Sequence, residues 1–442
     1  MNKVTTLLVA AWLVGSLLYA CSPGPSHLLH NPTTWELREQ LVFLTGVWAM
    51  SFMVLSVIVS ARFGIVTHLT GGLDKAYVVH KRAGIYTTVF AILHWSLENV
   101  PHWLVAWGVI PNPGELTDGS QFSDLEIVLF QSGVLLAELS FYLLLVLVVI
   151  ALMNKIPYHI FRITHKIFPG LFLLFTWHAA TAQLKEHWLS SPAGYMLLGL
   201  LLLGNIAAIT GLLQRIGKSR QGKAIIQDIT LTPSGILHVH LETPGHPFIH
   251  RPGQYAFLQF SHSREPHPFS IVSSGDPGTT LRFAIKDLGD FTHNLPHAIH
   301  IGQPVTVEGP YGEFTFEDDC EHQLWIAGGI GITPFLSQLE HLSARGGATK
   351  RIDFWYCTRG KLAQQFPANL ADMCRRSNVN FIHIDSLQER LSPEALLATC
   401  RDSKRMSVWF CGPDEMRKRL QMMLQRSGLP KGRFHYDSFR MR

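Results

Sequence analysis

Six apolar runs dominate the first half of the chain, at residues 4–20, 41–60, 79–100, 127–153, 163–180 and 193–213. Each approaches or exceeds the ~20 residues a helix needs to cross a hydrocarbon layer about 30 Å thick, so the pattern predicts six membrane-spanning helices. Beyond Arg215 the pattern becomes that of a soluble protein. Short alternating runs at 224–231, 236–242, 254–260, 281–286 and 304–308, separated by Gly and Pro turns, predict a small antiparallel β-barrel. From residue 323 onward the period changes again. A strand at 323–327, a glycine turn, a helix at 334–344, a strand at 351–357, a further helix, and strands at 379–384 and 407–411 predict an α/β doubly wound parallel sheet. The expected organisation is a six-helix transmembrane domain over 1–215, a barrel over 216–318 and an α/β domain over 319–442.

Charge orients the membrane half. Loops expected on one side carry Arg62, Lys75, Lys81 and Arg82, then Lys155, Arg162 and Lys166, then Arg215, Lys218, Arg220 and Lys223. The opposite loops carry only Arg38 and Lys185, with Glu115, Asp118, Asp124 and Glu126. By the positive-inside rule both termini and the soluble half are cytoplasmic. The net charge of +5 does not indicate a nucleic-acid partner, because no basic stripe with interleaved aromatics occurs and the cations flank the apolar runs. The first run, ending Leu18-Tyr19-Ala20-Cys21, also reads as a secretory or lipoprotein signal; the bulky Tyr19 beside the would-be cleavage point favours its retention as a span. Six cysteines without a CxxC pair, five of them in the soluble half, suit free thiols in a reducing compartment. With no organelle signal and short loops, a bacterial inner membrane is the expected location, and a eukaryotic membrane is the alternative.

Four histidines interrupt the apolar runs. The third run carries His80 and His94, and the fifth carries His165 and His178. Ionisable groups at membrane depth are functional candidates, and imidazole is an axial ligand of haem iron. Fourteen positions of helix span about 21 Å and return to within about 40° of the same face, so one helix can serve two sites, one near each leaflet. The third and fifth runs are parallel, which pairs His80 with His165 near the cytoplasm and His94 with His178 near the outside. Thirteen positions leave His178 about 140° from His165 on an ideal helix, with Pro169 between them as a source of distortion. The alternative use of such histidines is hydrogen bonding between helices. His68, His159, His102 and His187 fall in loops and read as solvated.

In the last domain, Gly328-Gly329-Ile330-Gly331-Ile332-Thr333-Pro334 follows a strand and opens a helix, where small residues and free helix amides admit a pyrophosphate. It is not the GxGxxG fingerprint, and a merely tight turn is an equal reading. The order His267-Pro268-Phe269-Ser270, Gly289-Asp290-Phe291-Thr292, Gly309-Pro310-Tyr311-Gly312, this glycine turn and Cys411-Gly412-Pro413 resembles the ferredoxin-reductase-type flavin and nicotinamide module. Preceded by six apolar runs with the histidine spacings above, the whole is similar to the ferric reductase and NADPH oxidase superfamily.

The resemblance implies a set of roles. His267, Pro268, Phe269 and Ser270 would line an FAD, with Ser270 near the reactive ring nitrogen; Gly289, Asp290, Phe291 and Thr292 would open a helix facing its pyrophosphate. Gly328, Gly329, Gly331 and Thr333 would hold the phosphates of NAD(P)H. Cys411, Gly412 and Pro413 would lie beside the nicotinamide, and Phe439 would be the aromatic that shields the flavin, although Met441 and Arg442 follow it here. Plainer uses are a core position for Cys411, a turn hydroxyl for Ser270 and an apolar cap for Phe439. Thr358, Arg359 and Lys361 follow the second strand of the α/β domain, where a cation can hold a 2′-phosphate, which favours NADPH over NADH.

The expected function is an NAD(P)H-dependent oxidoreductase. Hydride would pass from NADPH to FAD, then single electrons through two b-type haems at His80/His165 and His94/His178, then to an acceptor outside, an Fe(III) chelate or oxygen. An electron-supplying cytochrome b subunit for a separate external protein is the alternative, and a transporter with a nucleotide sensor would carry no haem. Arg38 is a candidate partner for a haem propionate or an interfacial anchor. Phe172 or Phe175 could pack between the haems, with a lipid-facing or core position the plainer use. No EF-hand loop occurs, so the sequence offers nothing for calcium control.

Overall fold

The computed structural model describes residues 3–28, 32–112, 123–153, 155–182, 191–233, 235–245, 248–263, 265–275, 280–360, 369–388, 391, 396 and 405–437. It divides into two compact units, Met1–Ile216 and Gly217–Arg442.

The first unit is helical. Its elements are α1 Lys3–Ala20, α2 Gly24–His27, α3 Thr34–Ser60, α4 Gly64–Thr70, α5 Leu73–Ala106, α6 Asp124–Leu152, α7 Tyr158–His165, α8 Phe168–Ala182 and α9 Pro192–Leu212. Two long helices start on capping boxes: Thr33 with Glu36 opens α3, and Ser123 with Glu126 opens α6, each pair satisfying amides that a helix start leaves free. Helix α1 packs on α3, where Trp48 Nε1 donates to Ser16 Oγ at 3.0 Å and Tyr19 donates to Gln40 Oε1 at 3.0 Å. Its apolar residues Val9, Leu13 and Leu17 face outward, as do Leu135, Leu139 and Val146 of α6 and Leu202, Leu203 and Ile206 of α9. Apolar side chains outside and a packed interior behind them suit a lipid surround.

Among the described residues four helices are long and apolar enough to cross a membrane: α1, α3, α6 and α9. The expected third and fifth spans fall short of that measure for physical reasons. The third lies within the 34-residue α5, whose apolar run is diluted by Lys75, His80, Lys81, Arg82, His94 and Glu98. The fifth is broken, because α7 ends at His165 and α8 starts at Phe168 with only 15 residues.

The second unit holds two sheets. Strands β1 Gln221–Leu231, β2 Ile236–Glu242, β3 Tyr255–Phe260, β4 His267–Ser270, β5 Thr280–Lys286 and β6 Pro304–Tyr311 form an antiparallel sheet in the order β4-β3-β6-β1-β2-β5. A bridge between Ile271 and Phe283 links the two ends, so the barrel is nearly closed. Inward residues such as Val239, Leu258, Phe283 and Val307 fill it. Helix α10, Asp290–Ala298, covers one end through Leu295 and Phe291.

Strands β7 His322–Gly328, β8 Arg351–Thr358, β9 Asn380–Asp385, β10 Met406–Cys411 and β11 Phe434–Asp437 form a parallel sheet in the order β11-β10-β7-β8-β9. Helices α11 Thr333–Ala344, α12 Leu370–Arg376 and α13 Asp414–Arg426 complete it. Its central strands are buried on both faces, which is why they read as continuous apolar runs.

Candidate functional site

The membrane unit brings its four histidines together as two facing pairs. The ring centroids of His80 and His165 lie 5.7 Å apart at 73°, and those of His94 and His178 lie 6.2 Å apart at 70°. Each pair joins α5 to the broken helix, His165 closing α7 and His178 lying in α8. The break eases the thirteen-residue spacing. Pro169 has no N–H to give the carbonyl of His165, and the chain tightens there: Lys166 and Ile167 donate to Ile163 and Thr164, three residues back, at 3.3 and 3.1 Å. Tightened turns advance about 120° per residue instead of about 100°, which takes up part of the ~140° offset.

Hydrogen bonds fix the rings of α5. His80 Nδ1 lies 2.9 Å from the Ser56 carbonyl and 2.9 Å from Ser56 Oγ, and His94 Nδ1 lies 2.8 Å from the Val42 carbonyl. An imidazole that donates from Nδ1 presents the lone pair of Nε2, the tautomer a metal ligand needs. Across from them, the Nδ1 atoms of His165 and His178 are buried without a hydrogen bond of ordinary geometry, His178 facing the backbone of Gly133. Two imidazoles that share one iron through bonds of about 2 Å have centroids about 6 Å apart. Both pairs fit that spacing.

Small residues give the histidines room. A Cβ on Gly46 of α3 would lie 3.1 Å from the His94 ring, and one on Gly133 of α6 would lie 3.4 Å from the Cα of His178 and closer still to Thr181. Arg38, near the start of α3, is engaged by the end of α5. It donates to the carbonyls of Leu97 and Glu98, both at 2.8 Å, and to Glu98 Oε2 at 2.6 Å, and lies 3.3 Å from His102 Nε2. His102 is exposed, as the sequence suggested, and its ring also lies beside Trp35 and Arg38. Phe172 is 2% exposed and packs with Leu18, Val54 and Leu201, a core position, whereas Phe175 lies beside Leu144, Leu147 and Ala91.

In the second unit the motif His267-Pro268-Phe269-Ser270 is itself a strand, β4 at the sheet edge, where Pro268 costs no central ladder bond. Its His267 stacks on Phe291 of α10 at 3.5 Å and 13°. Ser270 is buried and its Oγ lacks a hydrogen-bond partner among the described residues, an orphan that a ring nitrogen of a bound cofactor would satisfy. Before α10, Thr292 Oγ1 accepts from the amides of Leu288 at 2.8 Å and Gly289 at 3.1 Å, so it builds the turn; Asp290 is exposed in the first helical turn.

The glycine turn and the Cys411-Gly412-Pro413 segment meet at the C-terminal edge of the parallel sheet. A Cβ on Gly328 would lie 2.7 Å from Pro413 Cδ, and one on Gly331 would lie 2.3 Å from the Cys411 carbonyl oxygen. Gly329 adopts φ 56°, which favours glycine. Thr333 opens α11, is 2% exposed, and donates to the Ile330 carbonyl at 3.1 Å. Open α/β sheets bind ligands at this edge. Cys411 is fully buried, and burial pushes its thiol well above the ordinary range, so its place is that of a neutral wall. Arg359 is exposed just after β8, in a loop that Asp385 holds by accepting from the amide of Gly360 at 2.8 Å. Asp385 carries no motif, and only its place at a strand end could have signalled it. Phe439, Lys361, Met441, Arg442, Lys185, His187, Glu115 and Asp118 lie outside the described residues.

Comparison with known proteins divides along the same line. Residues 45–176 match the model of the ferric reductase like transmembrane component, and residues 223–315 match that of a FAD-binding domain. Over 232 residues the chain is 28% identical to dual oxidase 1 of Caenorhabditis elegans, covering 48% of this chain and 15% of that one. Over 168 residues it is 27% identical to human NADPH oxidase 5, covering 29% and 22%. The reductase component of propane 2-monooxygenase from Rhodococcus jostii (strain RHA1) is 28% identical over 216 residues, or 45% of this chain and 57% of that protein. Against this and two related propane 2-monooxygenase reductases the match spans only 57 to 60% of their length. Among solved structures, the cytochrome P450 reductase GcoB of Amycolatopsis superposes with TM-score 0.45 at 20% identity, over 50% of this chain and 70% of that one.

Proposed function

The chain belongs to the ferric reductase and NADPH oxidase superfamily, and from that premise we propose that it is a six-span transmembrane oxidoreductase that moves electrons from cytoplasmic NAD(P)H, by way of FAD and two b-type haems, to an acceptor on the outer face. The observation that carries this reading is the two facing histidine pairs, whose ring centroids lie 5.7 and 6.2 Å apart, the spacing of two imidazoles that share one iron. Bound flavin would supply the conversion of hydride to single electrons, and bound haems the relay through the hydrocarbon layer.

The chain's own residues supply orientation. The Ser56 and Val42 carbonyls accept from Nδ1 of His80 and His94, which leaves the lone pair on Nε2, and Gly46 gives the His94 ring its room. In the second unit, Ser270 offers a buried hydroxyl for the flavin, and the neighbouring His267–Phe291 stack forms a flat wall. Gly328, Gly329, Gly331 and Thr333 bring the start of α11, with its free amides, to the nucleotide phosphates. Cys411, Gly412 and Pro413 wall the nicotinamide, and Arg359 meets the 2′-phosphate that distinguishes NADPH. Phe439 is assigned to shield the flavin. Arg38 already holds Glu98 and two carbonyls, which suits a role in fixing the outer end of α5 near the acceptor.

The test is an anaerobic absorption spectrum of the detergent-purified chain before and after NADPH, with haem quantified per chain. A reduced b-type spectrum with two haems is expected, and one haem fewer in each of His94→Ala and His178→Ala. Protein without haem, or variants that keep both, would overturn the assignment.

A further inference from the structure

Away from the nucleotide edge, the barrel and the α/β domain together line a half-open crevice of about 470 Å³. Its floor is apolar and drawn from both, with Phe283 from β5, Leu336 from α11 and Met373 from α12. Its rim is basic: His238 and His240 from β2, Arg282 from β5 and Arg376 from α12. The one carboxylate among the lining residues is Glu340 of α11, and it is bound to the Arg282 guanidinium through both oxygens. After that pairing, Arg376 and the two imidazoles remain as donors toward the same space.

This volume lies in the range of small-ligand sites, and an apolar floor with a few convergent polar groups is their usual lining. We propose that the crevice binds a small organic phosphate, its phosphoryl group held by Arg376, His238 and His240 and its apolar body laid on Phe283, Leu336 and Met373. A phosphoryl group meets the full positive charge of Arg376, which remains after Glu340 pairs with Arg282, and its several oxygens can also accept from the imidazole N–H groups of His238 and His240. Because the lining comes from both domains of the unit, the ligand would bridge them. The inference is independent of the histidine pairs in the membrane unit and of the flavin and nicotinamide sites.

The same lining dictates a pH dependence. Burial first, then the neighbouring His240 and Arg282, hold the His238 imidazole below its ordinary range. Asp228 of β1 lies 3.9 Å from His240, and Glu340 and Arg376 complete the charged surroundings. A bound dianion reverses the local sign, so binding takes up a proton and tightens as pH falls.

The experiment is calorimetric titration of phenyl phosphate into the full-length chain with FAD bound and the nucleotide site saturated with NADP⁺. Saturable binding is expected, tighter at pH 6 than at pH 8, and weakened about tenfold by R376Q and by H238Q. Inorganic phosphate, with the charge but no apolar body, should bind at least about tenfold more weakly, and phenol not measurably. Arg376 is exposed, so R376Q leaves the core intact and decides the matter alone if H238Q fails to fold. No binding with NADP⁺ present, binding indifferent to R376Q, equal affinity for inorganic phosphate, or no tightening at low pH would each overturn the proposal.

Discussion

A methyl group added at Gly46 would stand 3.1 Å from both Cε1 and Nδ1 of His94, a ring already tied to the Val42 carbonyl. G46V is therefore expected to turn the ring and to lower haem content from two per chain to about one, whereas G170A, which meets nothing within 4 Å, should leave both; haem quantification separates the two. Asp318 makes a second prediction in the soluble unit. Burial alone would raise its carboxyl, but donors from Ser407, Lys350, Trp409 and the Cys320 amide outweigh that and hold it below the ordinary range. A depressed carboxyl contributes stability above its unfolded value near ~3.9 and loses it as pH falls through the folded value. D318A should cost about 3 kcal/mol near neutrality by orphaning buried donors, and the deficit should shrink below about pH 4, as melting curves across pH would show. The four membrane histidines were legible because an ionisable group inside an apolar run stands out. The carbonyls of Val42 and Ser56 were not, since a backbone acceptor has no letter in the sequence, and neither was Asp318, an ordinary loop carboxylate until these four donors and the Gln323 amide at 3.0 Å surround it.

Among the elements, the fifth apolar run shows most clearly where pattern and structure part. Hydropathy is continuous through 163–180, but Pro169 denies the His165 carbonyl its partner and the helix is interrupted at Lys166 and Ile167. Apolar composition reports what a segment is dissolved in and says nothing about whether its hydrogen-bond ladder is unbroken. The joint sets the azimuth of His178 relative to His165. Inserting one alanine between Lys166 and Ile167 would rotate His178 by about 100° and shift it about 1.5 Å, and is expected to leave one haem per chain with the chain still in the membrane. The strand β4 was missed for the opposite reason: four residues containing a proline are too short for an alternation to register, and only pairing with β3 makes His267–Ser270 a strand. The last strand, Phe434–Asp437, is equally short and is fixed by its parallel partner β10.

At the scale of the molecule, composition changes near Arg215 and the two compact units meet between Ile216 and Gly217. Each side has its own buried clusters, those of the second unit filling the barrel and both faces of the parallel sheet. A fragment of residues 217–442 is accordingly expected to fold alone, run as a soluble monomer-sized species on gel filtration, and carry flavin absorbance without a haem band. The two histidine pairs, separated by fourteen positions of α5 or about 21 Å, have a consequence of another kind. Along the proposed path an electron leaving the inner pair for the outer one is a current through an insulator. A membrane polarised negative inside drives that current, by about 2.3 kcal/mol per electron per 100 mV for a full crossing. Turnover would then discharge the membrane and leave the proton of NAD(P)H behind, so a cell running this chain would need a compensating flow of cations outward to keep its voltage.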